Sequence, residues 1–177
     1  MNVTLFNAVH GLSGRVLLVD WFGIFCANYL PYFLVFAALI AVLVLYTDWR
    51  KRFIAYAFMA LSLILSRGLL TEIIHFIYDH PRPFVTLQFT PLVPESGSSF
   101  PSGHTTLFFA LAAVIWYFNK KLGWYFIAGA TIIGIARVFV GVHWPLDILG
   151  GIIVGLLSTW LVKVLFDKSK IEIKRAA

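Results

Sequence analysis

Long runs of apolar residues divide the chain into segments that are long enough, or nearly so, to cross a membrane. A membrane-spanning helix needs about 20 mostly apolar residues. Five segments meet or approach that length: residues 30–46, 53–78, 105–118, 122–140 and 146–166. The third is short, and we expect it to gain length from residues on either side. The pattern predicts an all-α integral membrane bundle with about five transmembrane helices.

Two shorter stretches precede these runs. Residues 2–10 and 16–29 are typical of amphipathic, interfacial helices, with a break at Gly11 and Gly14. Residues 16–29 are also compatible with a sixth, partial span, but Asp20 and Asn28 disfavour full insertion. The expected organisation is a single domain over residues 1–177. Within it, residues 1–29 form interfacial helices, residues 79–102 form an outer loop and residues 167–177 form a cytoplasmic tail.

Composition supports a membrane protein. Apolar residues make up 60% of the chain and charged residues 12%, against about 45–50% and about 25% in soluble domains. The formal net charge of +6 comes from short basic clusters between apolar runs, so nucleic acid is not an expected partner, whereas membrane lipids are. With five spans, the clusters at 50–52, 120–121 and 168–175 share one side, which the positive-inside rule assigns to the cytoplasm.

Residues 79–102 then face outside. Four prolines oppose regular structure in this loop, and its interspersed phenylalanines and leucines indicate a segment near lipid. Ionisable residues gather at the same end of the spans, where they are costly and therefore need an explanation. They occur in residues 80–84 and 100–104, at Arg137, and in residues 143–147.

These residue types suit phosphate chemistry. Arg82 and Arg137 are permanent cations whose planar forks match phosphoryl oxygens. Ser102 is a candidate N-cap, and Gly103 allows an anion to approach the backbone N–H groups of a helix start. No metal ligand set or cofactor is indicated.

A histidine and an aspartate four residues apart open the last predicted helix. If that turn is helical, the Asp147 carboxylate can accept from one imidazole nitrogen of His143 and leave the other nucleophilic. His104 provides a second imidazole, which could protonate a leaving oxygen.

Three ordered motifs resemble the type 2 phosphatidic acid phosphatase superfamily. They are Arg82-Pro83, the Pro-Ser-Gly-His run at 101–104, and Arg137 followed by His143 and Asp147 with five and three residues between them. The resemblance covers about residues 30–166. Within the superfamily, residues 6–13 and 140–147 are most similar to bacterial undecaprenyl diphosphatases.

The resemblance implies a mechanism and a location. His143 attacks phosphorus to give a phosphohistidine, Asp147 orients it, and His104 protonates the leaving group and then activates water. The phosphoryl oxygens are held by Arg82, Arg137, Ser102 and Gly103. The expected enzyme is a metal-independent lipid phosphatase of the bacterial inner membrane, multi-pass and monomeric, with its site on the extracytoplasmic face and undecaprenyl diphosphate as substrate.

Two positions depart from the family pattern. The first motif usually begins with Lys seven residues before its Arg, where this chain has His75, and the third usually has Ser before its Arg, where this chain has Ala136. Glu72 would favour a protonated His75 that replaces the lysine charge. Equally, Glu72 and His75 are compatible with a neutral polar pair.

Several interpretations stay open. Phosphatidylglycerophosphate, phosphatidic acid and lipid A phosphate are alternative substrates, because the motifs recognise only the head group. A small transporter or flippase using Arg67, Glu72 and His75 is an alternative from another class, although the chain has no inverted repeat. His80 lies near enough to the motifs to stay a candidate. Gly151 and Gly155 predict close helix packing within the chain.

Overall fold

The computed structural model describes residues 2–169, which are mainly helical. In chain order, the helices of these residues are α1 (Asn2–His10), α2 (Leu17–Leu45), α3 (Trp49–Ile77), α4 (Pro83–Leu87), α5 (Gly103–Phe118), α6 (Lys120–Phe139) and α7 (Pro145–Lys168). Helices α2, α3, α6 and α7 are long and apolar enough to cross a membrane, and α5 is a shorter apolar helix. The predicted all-α membrane bundle of about five spans is confirmed.

Helix α5 begins two residues before the predicted segment but gains nothing at its end, so the expected lengthening occurs only at its start. It has 16 residues, or about 24 Å, against about 30 Å of bilayer hydrocarbon. At its end, Asn119 leaves the helical conformation, and its side-chain oxygen accepts from the backbone N–H of Leu122 at 3.0 Å, which starts α6 at once. At least one end of α5 therefore lies below the membrane surface.

The break expected between residues 29 and 30 is absent. Helix α2 continues through a π turn at Phe25–Tyr29, where the N–H of Leu30 bonds to the carbonyl of Phe25, five residues back. This turn carries the helix past Pro31, which has no N–H to donate. Residues 17–29 are thus an extension of the first span and neither a separate helix nor a sixth span. Only α1 forms a separate N-terminal helix.

Helix α5 lies at the centre of the bundle, with most of its side chains buried. Glycines of α7 allow the closest approach to it. A Cβ atom on Gly155 would lie 2.5 Å from the backbone oxygen of Thr106, and one on Gly151 would lie 2.9 Å from that of Ser102. The prediction that these glycines pack within the chain is confirmed.

The basic connections lie at one end of the bundle. Tyr46, at the end of α2, contacts Phe118 at the end of α5, with ring centroids 5.7 Å apart. Near the end of α7, the ammonium of Lys163 lies 5.5 Å from the Tyr117 ring. The α2–α3 and α5–α6 connections and the end of α7 therefore share one side. Residues 170–177 of the predicted tail lie outside the described residues.

The outer loop is largely irregular, but the expectation that its prolines exclude helix is wrong for Pro83–Leu87. Pro83 occupies the first turn of α4, where its missing N–H costs nothing. The loop then returns to the bundle, because the N–H of Leu92 donates to the carbonyl of Val140 at 3.0 Å and the Val93 side chain is buried. This return brings residues 95–102 over the last turn of α6 and the first turn of α7.

Candidate active site

His143 and Asp147 face each other at the start of α7. The turn is helical from Pro145 onwards, and His143 Nδ1 lies 3.4 Å from Asp147 Oδ2. That separation is slightly longer than a full hydrogen bond. Both side chains are buried, with 2% and 1% of their surface exposed. The geometry leaves His143 Nε2 facing away from the carboxylate.

The Asp147 carboxylate is held by further donors on the same oxygen. The backbone N–H of Trp144 donates to Oδ2 at 2.7 Å, and Ser99 Oγ donates to it at 2.5 Å. The first bond also caps α7, so one carboxylate both starts the helix and faces His143. Asp147 Oδ1 lies 3.9 Å from His80 Nδ1, and both atoms are buried without a hydrogen-bond partner in the described part of the chain.

Arg82 lies on the opposite side of His143. Its Nη1 is 3.4 Å from His143 Nε2, so the free imidazole nitrogen faces a guanidinium. Four further bonds of 2.9 to 3.1 Å go to the carbonyl oxygens of Ser96, Gly97, Ser98 and Val142. These bonds fix the guanidinium and shape the outer loop around it.

Arg137 reaches the site from the last turn of α6 and is buried to the same degree as His143. Its Nη2 forms an ion pair with Glu95 Oε2. The other oxygen of Glu95 lies 4.0 Å from Arg82 Nη2. An acidic side chain of the outer loop thus connects the two arginines that sequence motifs assign to a phosphoryl group.

The start of α5 forms another wall of the site. Ser102 is the N-cap, with its hydroxyl accepting from the N–H of Thr105 at 3.4 Å. Its own N–H donates to the carbonyl of Asp147 at 3.0 Å, which ties α5 to α7. Gly103 and His104, the next two residues, line an open cleft of about 230 Å³ together with Arg67.

His75, which occupies the position of the family's motif lysine, does not pair with Glu72. His75 Nε2 donates to the carbonyl of Pro101 at 2.9 Å, which ties α3 to the residue before the N-cap of α5. Glu72 instead forms an ion pair with Arg67. A π turn at Ile64–Leu70 explains this pairing, because it brings residues five apart onto one face.

Burial and charge set the ionisation of the loop residues. Burial lowers the pKa of His143 to about 4, and the Asp147 hydrogen bond only partly opposes this shift while Arg137 and Arg82 add to it. Burial disfavours ionised Glu95, but Arg137 and Arg82 outweigh it and hold the pKa of that carboxyl below its usual range. At neutral pH the site therefore contains a neutral His143 and an ionised Glu95.

Glu95, Ser99 and His80 also contact the motif side chains, and of these three the sequence patterns indicated only His80. Each lies in the outer loop, whose path depends on the bonds that Arg82 makes to it. The one available signal was the position of His80 two residues before Arg82. No periodicity or motif indicates that a serine at position 99 reaches Asp147.

Helices that cross a membrane, with buried arginines, a histidine and an aspartate gathered at one end, define an enzyme class that acts on an anionic lipid. The PAP2 superfamily model matches residues 55–171, which is more than half of the chain. The chain belongs to this superfamily and is a multi-pass membrane lipid phosphatase.

Relatives and solved structures agree with this assignment. The chain is 32% identical to the Bacillus licheniformis bacitracin transport permease protein BcrC over 92% of this chain and 79% of that protein. It is 30% identical to the undecaprenyl-diphosphatase BcrC of Bacillus subtilis strain 168, over 91% and 82% respectively. The crystal structure of Aquifex aeolicus LpxE is similar with a TM-score of 0.75 and 26% identity, covering 92% of this chain and 94% of that one.

Proposed function

We propose that this chain hydrolyses undecaprenyl diphosphate to undecaprenyl phosphate through a phosphohistidine on His143. The observation that carries the proposal is the setting of His143, whose Nδ1 faces Asp147 while Nε2 faces Arg82. A buried, neutral imidazole with one nitrogen bound to a carboxylate keeps the other nitrogen unprotonated. Nε2 is then a nucleophile beside a cation that can hold the phosphoryl group.

The reaction proceeds in two balanced steps. Nε2 forms a bond to the terminal phosphorus while the bond from phosphorus to the bridging oxygen breaks, and His104 donates a proton to that oxygen. Water then attacks the phosphohistidine, His104 takes a proton from the water, and the nitrogen–phosphorus bond breaks to release inorganic phosphate. Arg82, Arg137, the hydroxyl of Ser102 and the N–H of Gly103 hold the phosphoryl oxygens throughout.

Glu95 has to leave the arginines before this can occur. Its carboxylate contacts Arg137 and approaches Arg82, which are the groups that a phosphoryl anion needs. Substrate therefore displaces the carboxylate, and the arginines exchange one anion for another without being left unpaired in a buried site.

The two BcrC relatives carry different names, one for transport and one for hydrolysis. Hydrolysis fits this chain better, because the buried arginine, histidine and aspartate side chains of residues 2–169 all lie in one site: Arg82, Arg137, His143 and Asp147. A transport relay would need such groups along the bundle. The proposed location is the bacterial inner membrane, with the site on the extracytoplasmic face and a monomer as the working unit.

Phosphate release from undecaprenyl diphosphate in detergent micelles with EDTA tests the proposal, comparing the native chain with His143→Ala. Release that resists the chelator and is lost in the variant is the expected result. Release that needs a metal, or that persists in the variant, contradicts the mechanism. Release from phosphatidylglycerophosphate but not from the diphosphate would replace the substrate and keep the mechanism.

A further inference from the structure

Arg67 lies at the edge of the site, beside the start of α5. A Cβ atom on Gly103 would lie 2.5 Å from Arg67 Nε, so the guanidinium covers the turn that also carries His104. Arg67, Gly103 and His104 line one cleft, and its other walls are mostly apolar. They are formed by Asn28, Pro31, Tyr32, Val35, Leu107 and Phe108.

Arg67 differs from the two arginines in the motifs. Arg82 and Arg137 are 6% and 2% exposed, whereas the Arg67 side chain is 41% exposed and lines the cleft. Its Nη1 pairs with Glu72, and that pairing leaves donors on the same fork for an anion. Burial is the main cause of the lowered pKa of Arg82, and Arg67 is the last and smallest of the charges that lower it further, so Arg67 lies near the phosphate site but is only weakly coupled to it.

Because Arg67 lies beside His104, its charge acts on the group that leaves phosphorus. In the proposed mechanism, His104 protonates the oxygen that leaves phosphorus. In a phosphomonoester that oxygen belongs to an alcohol, and the atoms beyond it are uncharged. In a lipid diphosphate it belongs to a second phosphate, which departs as an anion. A cation next to His104 stabilises only the second kind of leaving group.

We propose that Arg67 binds the lipid-side phosphate of a diphosphate substrate and thereby makes the enzyme prefer diphosphates to phosphomonoesters. The inference rests on the proposed function, because it needs His143 and His104 in their assigned roles. As the bond from the bridging oxygen to the terminal phosphorus breaks, the oxygen takes a proton from His104 and Arg67 holds the departing lipid monophosphate. The apolar cleft walls receive the first carbons of the lipid tail.

The test compares two substrates with the same tail, farnesyl diphosphate and farnesyl monophosphate, in identical micelles. Arg67→Gln should lower kcat/KM for the diphosphate by about 100-fold, as loss of a charge-stabilising donor does, and mainly through kcat. The kcat/KM for the monophosphate should fall by a much smaller factor. Arg67→Lys, which keeps the charge but loses the fork, should recover part of the diphosphate rate.

Two controls separate specificity from general damage. Arg50→Gln makes the same change at the other end of α3 and should leave both substrates at native rates. Inhibition by inorganic phosphate reports the site of the attacked phosphoryl group, so Arg67→Gln should leave its inhibition constant unchanged. This second readout applies even when the native chain turns the monophosphate over too slowly to measure.

The possible failures are distinguishable. Arg67 does not recognise the second phosphate if Arg67→Gln lowers kcat/KM by the same factor for both substrates, or changes neither value. The same follows if the variant weakens inhibition by inorganic phosphate. In each of these cases the proposed function still stands. If the native chain releases no phosphate from undecaprenyl diphosphate, or His143→Ala releases it at the native rate, then the proposed function fails and this inference fails with it.

Discussion

The Asp147 carboxylate carries its bonds unevenly. Oδ2 accepts from Ser99 and Trp144, whereas Oδ1 is buried opposite His80 Nδ1, 3.9 Å away, and neither of these two atoms has a hydrogen-bond partner among residues 2–169. A buried polar atom without a partner is costly. Two such atoms that face each other, one a possible donor and the other an acceptor, are complementary. A small approach of the two side chains satisfies both.

This geometry predicts opposite results for two substitutions of His80. Asparagine places an amide N–H where Nδ1 lies, and glutamine places it where the other ring nitrogen lies. His80→Asn should therefore keep kcat near the native value, whereas His80→Gln should lower it about 10-fold, the lower end of what lost outer-sphere support costs. Steady-state kinetics on undecaprenyl diphosphate measure the difference. Equal rates for the two variants would show that His80 does not support Asp147.

At the scale of single residues, the sequence predicted the motif side chains and missed their supports. Spacing indicated that the Asp147 carboxylate could reach one imidazole nitrogen of His143, and the two side chains lie 3.4 Å apart although the helix begins only at Pro145. The contacts of the outer loop could not be predicted in the same way, because Ser99 reaches Asp147 across 48 positions of sequence. Local patterns carry no information on such contacts when an irregular loop makes them.

At the scale of the helices, hydropathy predicted the spans well and the local helix geometry poorly. Long apolar runs located α3 and α7 to within a few residues. The two π turns gave no comparable signal, although each changes a conclusion. One joins residues 17–29 to the first span, and the other turns Arg67 towards Glu72. Insertion of a π turn depends on packing against neighbouring helices, which a sequence pattern does not specify.

Close packing of α5 and α7 gives a prediction at the same scale. A Cβ atom on Gly155 would meet backbone atoms of α5, at 2.5 Å from the Thr106 oxygen and 2.9 Å from the Ala110 nitrogen. Backbone cannot rotate away as a side chain can, so Gly155→Ala must separate the helices. We expect a cost of about 1–3 kcal/mol, which corresponds to a Tm lower by roughly 2–12 °C in a chain of this size.

Gly68→Ala is the matched control, because the nearest atom to its added methyl group is Ile64 Cγ2 at 3.9 Å, an ordinary contact. Thermal unfolding of the purified proteins in detergent, followed by size-exclusion chromatography, measures both variants. An unchanged Tm in Gly155→Ala, or an equal fall in Tm in the two variants, would contradict the close approach of α5 and α7.

At the scale of the whole molecule, the arrangement of charge follows from connectivity. An odd number of spans places the N-terminal side and the outer loop opposite the three basic connections, and the contacts of Tyr46 with Phe118 and of Lys163 with Tyr117 hold those connections at one end. The chemistry therefore lies at the end away from the basic clusters. The positive-inside rule then predicts that the active site faces away from the cytoplasm.

Cysteine labelling tests this orientation, and the chain is well suited to it because Cys26 is its single cysteine and is buried. In a Cys26→Ala background, Thr90→Cys introduces a thiol at an exposed position of the outer loop, and Lys121→Cys introduces one at an exposed position in the first turn of α6. A membrane-impermeant maleimide should label position 90 in intact spheroplasts and position 121 only in inside-out vesicles. The reverse pattern would place the site on the cytoplasmic face, where a carrier lipid released outside the cell could not reach it without first crossing the membrane.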